Sequence, residues 1–136
     1  MKLLMIYTHR FWYKPNIKTI NSAPEAAERK EYNKVQTAFI QVEKEDEEKE
    51  NEVIKKLIKN LKWVAGKNET KHIILHSFAH LSESKAGPEF TKSLFDKAEE
   101  RLVNTGYTVN QTPFGYFLDL SLDAPGFSLA RVFKEF

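Results

Sequence analysis

The sequence predicts a single α/β domain, a mixed β-sheet covered by two main amphipathic helices, on three observations. Two short apolar runs, residues 3–8 and 71–77, read as strands buried on both faces. Two longer segments, residues 45–65 and 88–105, carry apolar side chains at helical spacing. The two kinds of segment then alternate: strand, irregular stretch, strand, helix, strand, helix, strand, strand, tail. That order belongs to the α/β class with a mixed sheet.

The first strand is the run from Leu3 to Thr8. Phe11-Trp12-Tyr13 has strand character, but Pro15, Asn16, Ser22 and Pro24 interrupt it. Residues 9–34 therefore read as a strand fragment and an irregular connection, with a helical turn over 25–31. Val35, Thr37, Phe39, Ile40 and Val42 mark residues 35–43 as a strand. In the first helix Val53, Leu57, Leu61 and Val64 form the stripe, flanked by Ile54 and Ile58. Acidic residues 45–48 at its start and Lys59 and Lys62 toward its end suit the helix dipole, and Gly66 is the expected stop. In the second helix Phe90, Leu94, Ala98 and Leu102 line up, with Pro88 at the first turn and Gly106 past the end. Residues 107–111 and 115–122 read as strands, the latter with Tyr116, Leu118, Leu120 and Leu122 on one face. Pro125-Gly126 makes a turn, and residues 127–136 close the chain as a short helix or strand.

The chain has 136 residues, the size of one domain, with 41% hydrophobic and 29% charged residues. It contains no cysteine, which excludes disulfides and thiolate chemistry. A net charge of +2 is too small to mark a protein that grips a long nucleic acid, but it allows contact with the end of one. The apolar run behind Lys2 is too short for a signal segment or a membrane span, so a cytoplasmic location is expected. The sequon Asn68-Glu69-Thr70 is without meaning there.

His72, His76 and His80 are spaced by four, a zinc-type ladder on a helix. Ile73-Ile74-Leu75 favours a strand, which breaks the ladder, so no metal is expected. His80 follows a strand, where an imidazole orients a hydroxyl or a water near neutral pH; a capping or packing role is the plainer alternative. Pro113-Phe114-Gly115-Tyr116 joins two strands. Gly115 admits close approach of a ligand, and Phe114 and Tyr116 are suited to stack on a base or to fill a core. There is no glycine-rich phosphate loop and no nucleophile elbow, and Asp119 and Asp123 are triad candidates only by residue type. From the residues alone the chain has a candidate cleft at His80 and Phe114, without an assigned reaction.

Phe78-Ala79-His80-Leu81-Ser82 and Pro113-Phe114-Gly115-Tyr116-Phe117 together resemble the editing domain of archaeal-type threonyl-tRNA synthetases. The likeness begins in the Lys2-Leu3-Leu4-Met5-Ile6 strand. It continues through Thr37-Ala38-Phe39-Ile40-Gln41-Val42-Glu43 into Lys44-Glu45-Asp46-Glu47, and Gly126, Leu129 and Ala130 fall in step near the C-terminus. The resemblance implies a D-aminoacyl-tRNA deacylase-like fold, a homodimer, no cofactor, and hydrolysis of serine misattached to threonine tRNA. Its substrate is the aminoacyl-tRNA 3′ end. The pocket would be lined largely by backbone groups, with the substrate's ribose hydroxyl helping to activate the water. By motif, Ala79 and His80 take the catalytic positions, and Phe78, Pro113, Phe114, Gly115, Tyr116, Phe117 and Leu118 bind substrate. The chain, as one domain over residues 1–136, would be a freestanding editor or one domain of a longer protein.

The chain departs from the family pattern at four places. Phe117 stands where tyrosine is common, Leu118 where lysine is typical, and Arg131 where a glutamate is expected. The first strand ends Tyr7-Thr8-His9 in place of histidine-serine-aspartate. Two alternatives follow. One is a catalytically altered or inactive editing-like module that binds tRNA ends or a protein partner. The other is a D-aminoacyl-tRNA deacylase.

Overall fold

A computed structural model describes all 136 residues. It contains six strands and two α-helices: β1 (Lys2–Lys18), β2 (Lys30–Gln41), α1 (Glu50–Lys67), β3 (His72–Ser77), α2 (Pro88–Asn104), β4 (Thr108–Gln111), β5 (Tyr116–Asp123) and β6 (Arg131–Glu135). The strands form one mixed sheet in the order β4-β3-β2-β1-β5, with β6 also paired to β1. The β2–β3 and β3–β4 pairs are parallel, and all pairs of β1 are antiparallel. No helix is long and apolar enough to cross a membrane.

β1 is far longer than its sequence suggests. The stretch expected to break at Pro15 and Asn16 continues as strand to Lys18. The proline is tolerated because pairing with β2 has already ended at Tyr13 and Lys30, so its missing donor costs no bond on that side. On the other side the β1–β5 register shifts between Pro15 and Ile17, a bulge that absorbs the ring. The helical turn expected over 25–31 does not form: residues 24–29 lack regular structure, and Lys30 and Glu31 already belong to β2.

One flank of β1 is shared by two strands. β6 pairs with Lys2 to Ile6, and β5 pairs from Arg10 to Lys18. Between these halves the inward alternation changes phase. Leu4 and Ile6 pack against the same cluster as Phe11 and Tyr13, so the facing residues switch from even to odd. β2 switches at the same step, from Tyr32 to Val35 and Phe39, without loss of pairing sum. Lys34 at the switch has φ 55, a left-handed conformation that sharpens strand twist.

That switch curls the sheet. Leu118 and Leu120 of β5 pack on the same small cluster as Phe78 at the end of β3, although β2 and β1 lie between those strands. In a flat sheet three strand spacings would hold them roughly 14 Å apart. The opposite face carries α1 and α2 over the main core, where Leu57, Leu61, Leu94, Ala98 and Leu102 pack on Leu3, Met5, Ile40, Ile73 and Leu75.

Both helices form where helical spacing places them, with corrected ends. Residues 44–48 make a 3₁₀ turn ahead of α1, capped reciprocally by Glu43 and Asp46. Gly66 lies inside α1, which runs on to Lys67 and is capped at Asn68. Gly106, at φ 95, follows the cap of α2 as expected. The tail is a 3₁₀ turn followed by a strand, β6. On β5 the half-buried face comprises Tyr116, Leu118 and Leu120, while Leu122 is exposed.

The Met1 ammonium is buried and meets two carboxylates, Glu43 at 2.8 Å and Asp46 at 3.1 Å. Glu43 also holds Lys2 and accepts a hydrogen bond from the Ser82 hydroxyl at 2.7 Å. Burial alone would raise the Glu43 pKa. The hydrogen bonds from the N-terminus and Ser82, with the ammonium charge, override it and hold the carboxyl near 2. A carboxyl depressed in the fold stabilises above its unfolded pKa, and that contribution fades as pH falls from about 4.5 toward 2. Glu43→Gln should therefore cost about 2–3 kcal/mol at pH 7 and less at pH 3, measured by denaturant unfolding at both values.

Candidate active site

The sheet curl brings the two sequence corners together. A cleft of about 360 Å³ lies between the end of β3, the start of α2 and the β4–β5 turn. Its wall includes Phe78, Ala79 and His80 from the first corner, and Pro113, Phe114, Gly115, Tyr116, Phe117 and Leu118 from the second. Ala79 and His80 form an exposed turn just past β3. Phe117 is 55% exposed at the rim, and Leu118 is half-buried.

An aromatic row backs the first corner. The Phe78 ring meets Phe39 edge-on at 5.1 Å and His80 at 4.9 Å. His76 packs on Phe39 at 5.1 Å, and its Nδ1 pairs with the Thr112 hydroxyl at 2.8 Å. Burial, with a smaller contribution from neighbouring His80, lowers the His76 pKa to about 4. Its imidazole is therefore neutral at pH 7. His72 is bonded separately to Asn110 at 2.7 Å.

The loop beyond His80 is held by a residue that pattern reading passed over. Gln41 is 2% exposed at the end of β2. Its Nε2 donates to the carbonyls of Ser82 and Ser84 at 2.7 and 2.9 Å, and its Oε1 accepts from the Leu81 amide at 2.6 Å. A buried amide with three such bonds fixes loop backbone against strand. The available signal was a lone amide in the otherwise apolar run Phe39-Ile40-Gln41-Val42.

The second corner is held by the irregular segment that follows β1. Gly115 has φ 88, and its carbonyl accepts the Thr19 amide at 2.7 Å. The Tyr116 hydroxyl donates to the Pro24 carbonyl at 2.8 Å and accepts from the Ala26 amide at 3.0 Å. Tyr116 thus anchors the segment with its polar tip while lining the cleft. Thr19 and Ile20 complete that wall.

The cleft wall contains no aspartate or glutamate, and Lys85 is its one lysine. Arg131 and the residues Tyr7 to His9 do not line it. Arg131 pairs with Ile6, and Tyr7 packs on His9 and Phe127. Among the departures from the family pattern, Phe117 and Leu118 alone touch the cleft.

With this geometry in hand, comparison with known proteins is decisive about kinship. The archaea-specific editing domain of threonyl-tRNA synthetase matches residues 1–136. The chain belongs to that family. Threonine-tRNA ligases from Thermococcus kodakarensis and Thermococcus sibiricus are 34% and 30% identical over 135 residues, 97% of this chain. The chain spans about a fifth of those relatives' length (22%). The c-Myc DNA Unwinding Element Binding Protein superposes with a TM-score of 0.70 at 15% identity, covering 99% of this chain and 98% of that one. That likeness establishes the fold alone, the mixed sheet with two main helices expected from the sequence. Kinship with an editing domain implies deacylation of mischarged tRNA as the general activity.

A side chain at Gly115 would bring its Cβ within 2.9 Å of the Ala23 Cβ and 3.2 Å of the Ile20 Cβ, at a left-handed φ. Gly115→Ala should cost about 1–2 kcal/mol and loosen the segment over 19–26. A lowered melting temperature together with faster proteolysis within that segment would show both effects; unchanged values would contradict the packing described.

Proposed function

We propose that the chain hydrolyses the ester of seryl-tRNA(Thr) or of another tRNA bearing a small misattached amino acid. The observation that carries this reading is the convergence of Phe78-Ala79-His80 and Pro113 to Leu118 on one cleft. The terminal adenosine lies along Phe114 and Tyr116, and the aminoacyl ester faces Ala79 and His80. Backbone amides of the two turns stabilise the developing oxyanion. His80 orients the water or a ribose hydroxyl, and no cofactor takes part. The wall carries no carboxylate, which is compatible with the family resemblance's implication that the substrate's own ribose hydroxyl helps to activate the water. Positioning supplies much of the remaining acceleration. Exclusion of threonine rests on one methyl group, a difference of about 1–3 kcal/mol.

The acting unit is the domain over residues 1–136, paired as a homodimer in the cytoplasm, where charged tRNA is used. An apolar surface supports the dimer. Phe133 lies opposite Leu4 on the sheet face away from the helices, and Leu122 lies opposite Phe11. Phe133 and Leu122 are 48% and 38% exposed. Sedimentation equilibrium should give twice the chain mass, and Phe133→Asp should halve it.

One observation favours a second reading, a non-catalytic module that binds tRNA ends. Leu118 places an alkyl group in the cleft where the family pattern has an amine, and like Leu120 it packs on the cluster that contains Phe39. Deacylation time courses with seryl-, threonyl- and D-aminoacyl-tRNA separate the readings. The deacylase reading expects seryl-tRNA to be cleaved fastest, with a loss of about tenfold or more in His80→Ala. Leu118→Lys should raise the seryl rate. Retained tRNA binding without turnover would favour the module, and preferential cleavage of the D-aminoacyl ester would favour a D-aminoacyl-tRNA deacylase.

A further inference from the structure

Behind Phe114 and Tyr116 lies a second hollow of about 890 Å³. It shares Ile20, Pro88, Pro113, Phe114 and Tyr116 with the cleft, so a chain leaving the cleft past Phe114 enters it directly. Its volume falls in the roughly 300–1,000 Å³ range typical of ligand sites. One wall is the segment over 22–26, and the other is α2 from Pro88 to Glu100.

The chemistry of the two hollows differs. The cleft has no carboxylate, whereas the second hollow is lined by Glu89, Asp96 and Glu100 together with Lys92 and Lys97. These groups are tied to the sheet. Lys92 Nζ donates to Asp96 at 2.7 Å and to the Gln111 side-chain carbonyl at 3.1 Å. Gln111 Nε2 in turn donates to Asp96 at 2.9 Å and to Glu99 at 3.1 Å. Gln111 belongs to β4, so the network locks this face of α2 to the strand that leads into Phe114. Burial would raise the Asp96 pKa, but the bonds from Lys92 and Gln111 lower it, which keeps the carboxylate an acceptor.

A wall that offers fixed carboxylate acceptors beside ammonium donors suits a base with an exocyclic amine next to ring acceptors. Cytosine has that pattern: its N4 amine donates to a carboxylate. Uracil presents a carbonyl at the same edge and would set acceptor against acceptor. Lys92 is held by Asp96 and Gln111 and Lys97 is paired with Glu50, so both ammonium charges stand at fixed places where a phosphate or the ring carbonyl can approach, and the Phe114 ring in the shared wall offers a stacking surface.

We propose that this second hollow receives the unpaired cytidine adjoining the terminal adenosine of tRNA, with Asp96 and Lys92 as its recognition pair. The proposal rests on the deacylase reading above. It extends the bound substrate from one nucleoside to a dinucleotide and gives the domain a means to select a tRNA end over a free aminoacyl nucleoside.

Three non-hydrolysable probes test it by calorimetry: 3′-serylamino-adenosine alone, the CCA trinucleotide carrying the same amide, and CUA carrying it. The CCA probe should bind about tenfold or more tighter than the adenosine probe. The CUA probe should lose most of that gain. Lys92→Ala and Asp96→Ala should each erase the CCA advantage while leaving adenosine-probe affinity unchanged. Both are exposed helix positions, so circular dichroism should report an intact fold. Equal binding of all three probes, or a CCA advantage that survives both substitutions, overturns the proposal. If none of the probes binds, the deacylase reading falls and takes this inference with it.

Discussion

β1 positions everything that converges on the cleft. It pairs along one side with β2 and divides its other side between β6 and β5. The change of phase between Thr8 and Phe11, with Lys34 left-handed opposite, turns its second half over the sheet. Without that turn β5 would lie remote from the end of β3, and no pocket could join Phe78 to Leu118. The helices on the other face pack over the main core, and only the start of α2, through Pro88 and Thr91, reaches the cleft wall.

The cleft is kept open by polar fastenings at its edges. Gln41 fixes the loop after β3, the Glu43–Ser82 contact ties that loop to the buried Met1 ammonium, and Tyr116 and Gly115 hold the segment after β1. Each fastening satisfies groups whose burial would otherwise be costly. Their common effect is to fix the chain on either side of the Ala79–His80 and Phe114–Gly115 turns. A backbone-lined site needs that kind of preorganisation, because turns have little rigidity of their own.

Much of this was legible in the sequence, for physical reasons. α1 and α2 were marked by strong periodicity and by length, and β3 by its short continuous apolar run. Gly106 was legible because it does the work of an αL stop. The two corners were visible as turn signals at strand ends, and the resemblance joined them. The parts that escaped are those decided by tertiary contact. Pro15 looked like a strand breaker, yet β2 pairing had ended before it and a bulge on the β5 side absorbed it. Gly66 looked like a helix stop, yet α1, with Val64 and Ala65 packed in the core, runs on to Lys67. Arg131 and Tyr7 to His9 looked like pocket departures, but they lie outside its wall. No periodicity marks the segment over 19–26, because its order comes from Gly115 and Tyr116, some ninety residues away.

The most direct test of the account is a crystal structure of the chain bound to 3′-serylamino-adenosine. The predicted result is a base between Phe114 and Tyr116 and a seryl amide within hydrogen-bonding reach of the Ala79–His80 turn, with the segment over 19–26 unmoved. Ligand bound elsewhere on the surface, or a cleft that closes on its own Phe78 and Leu118 side chains and admits nothing, would contradict it.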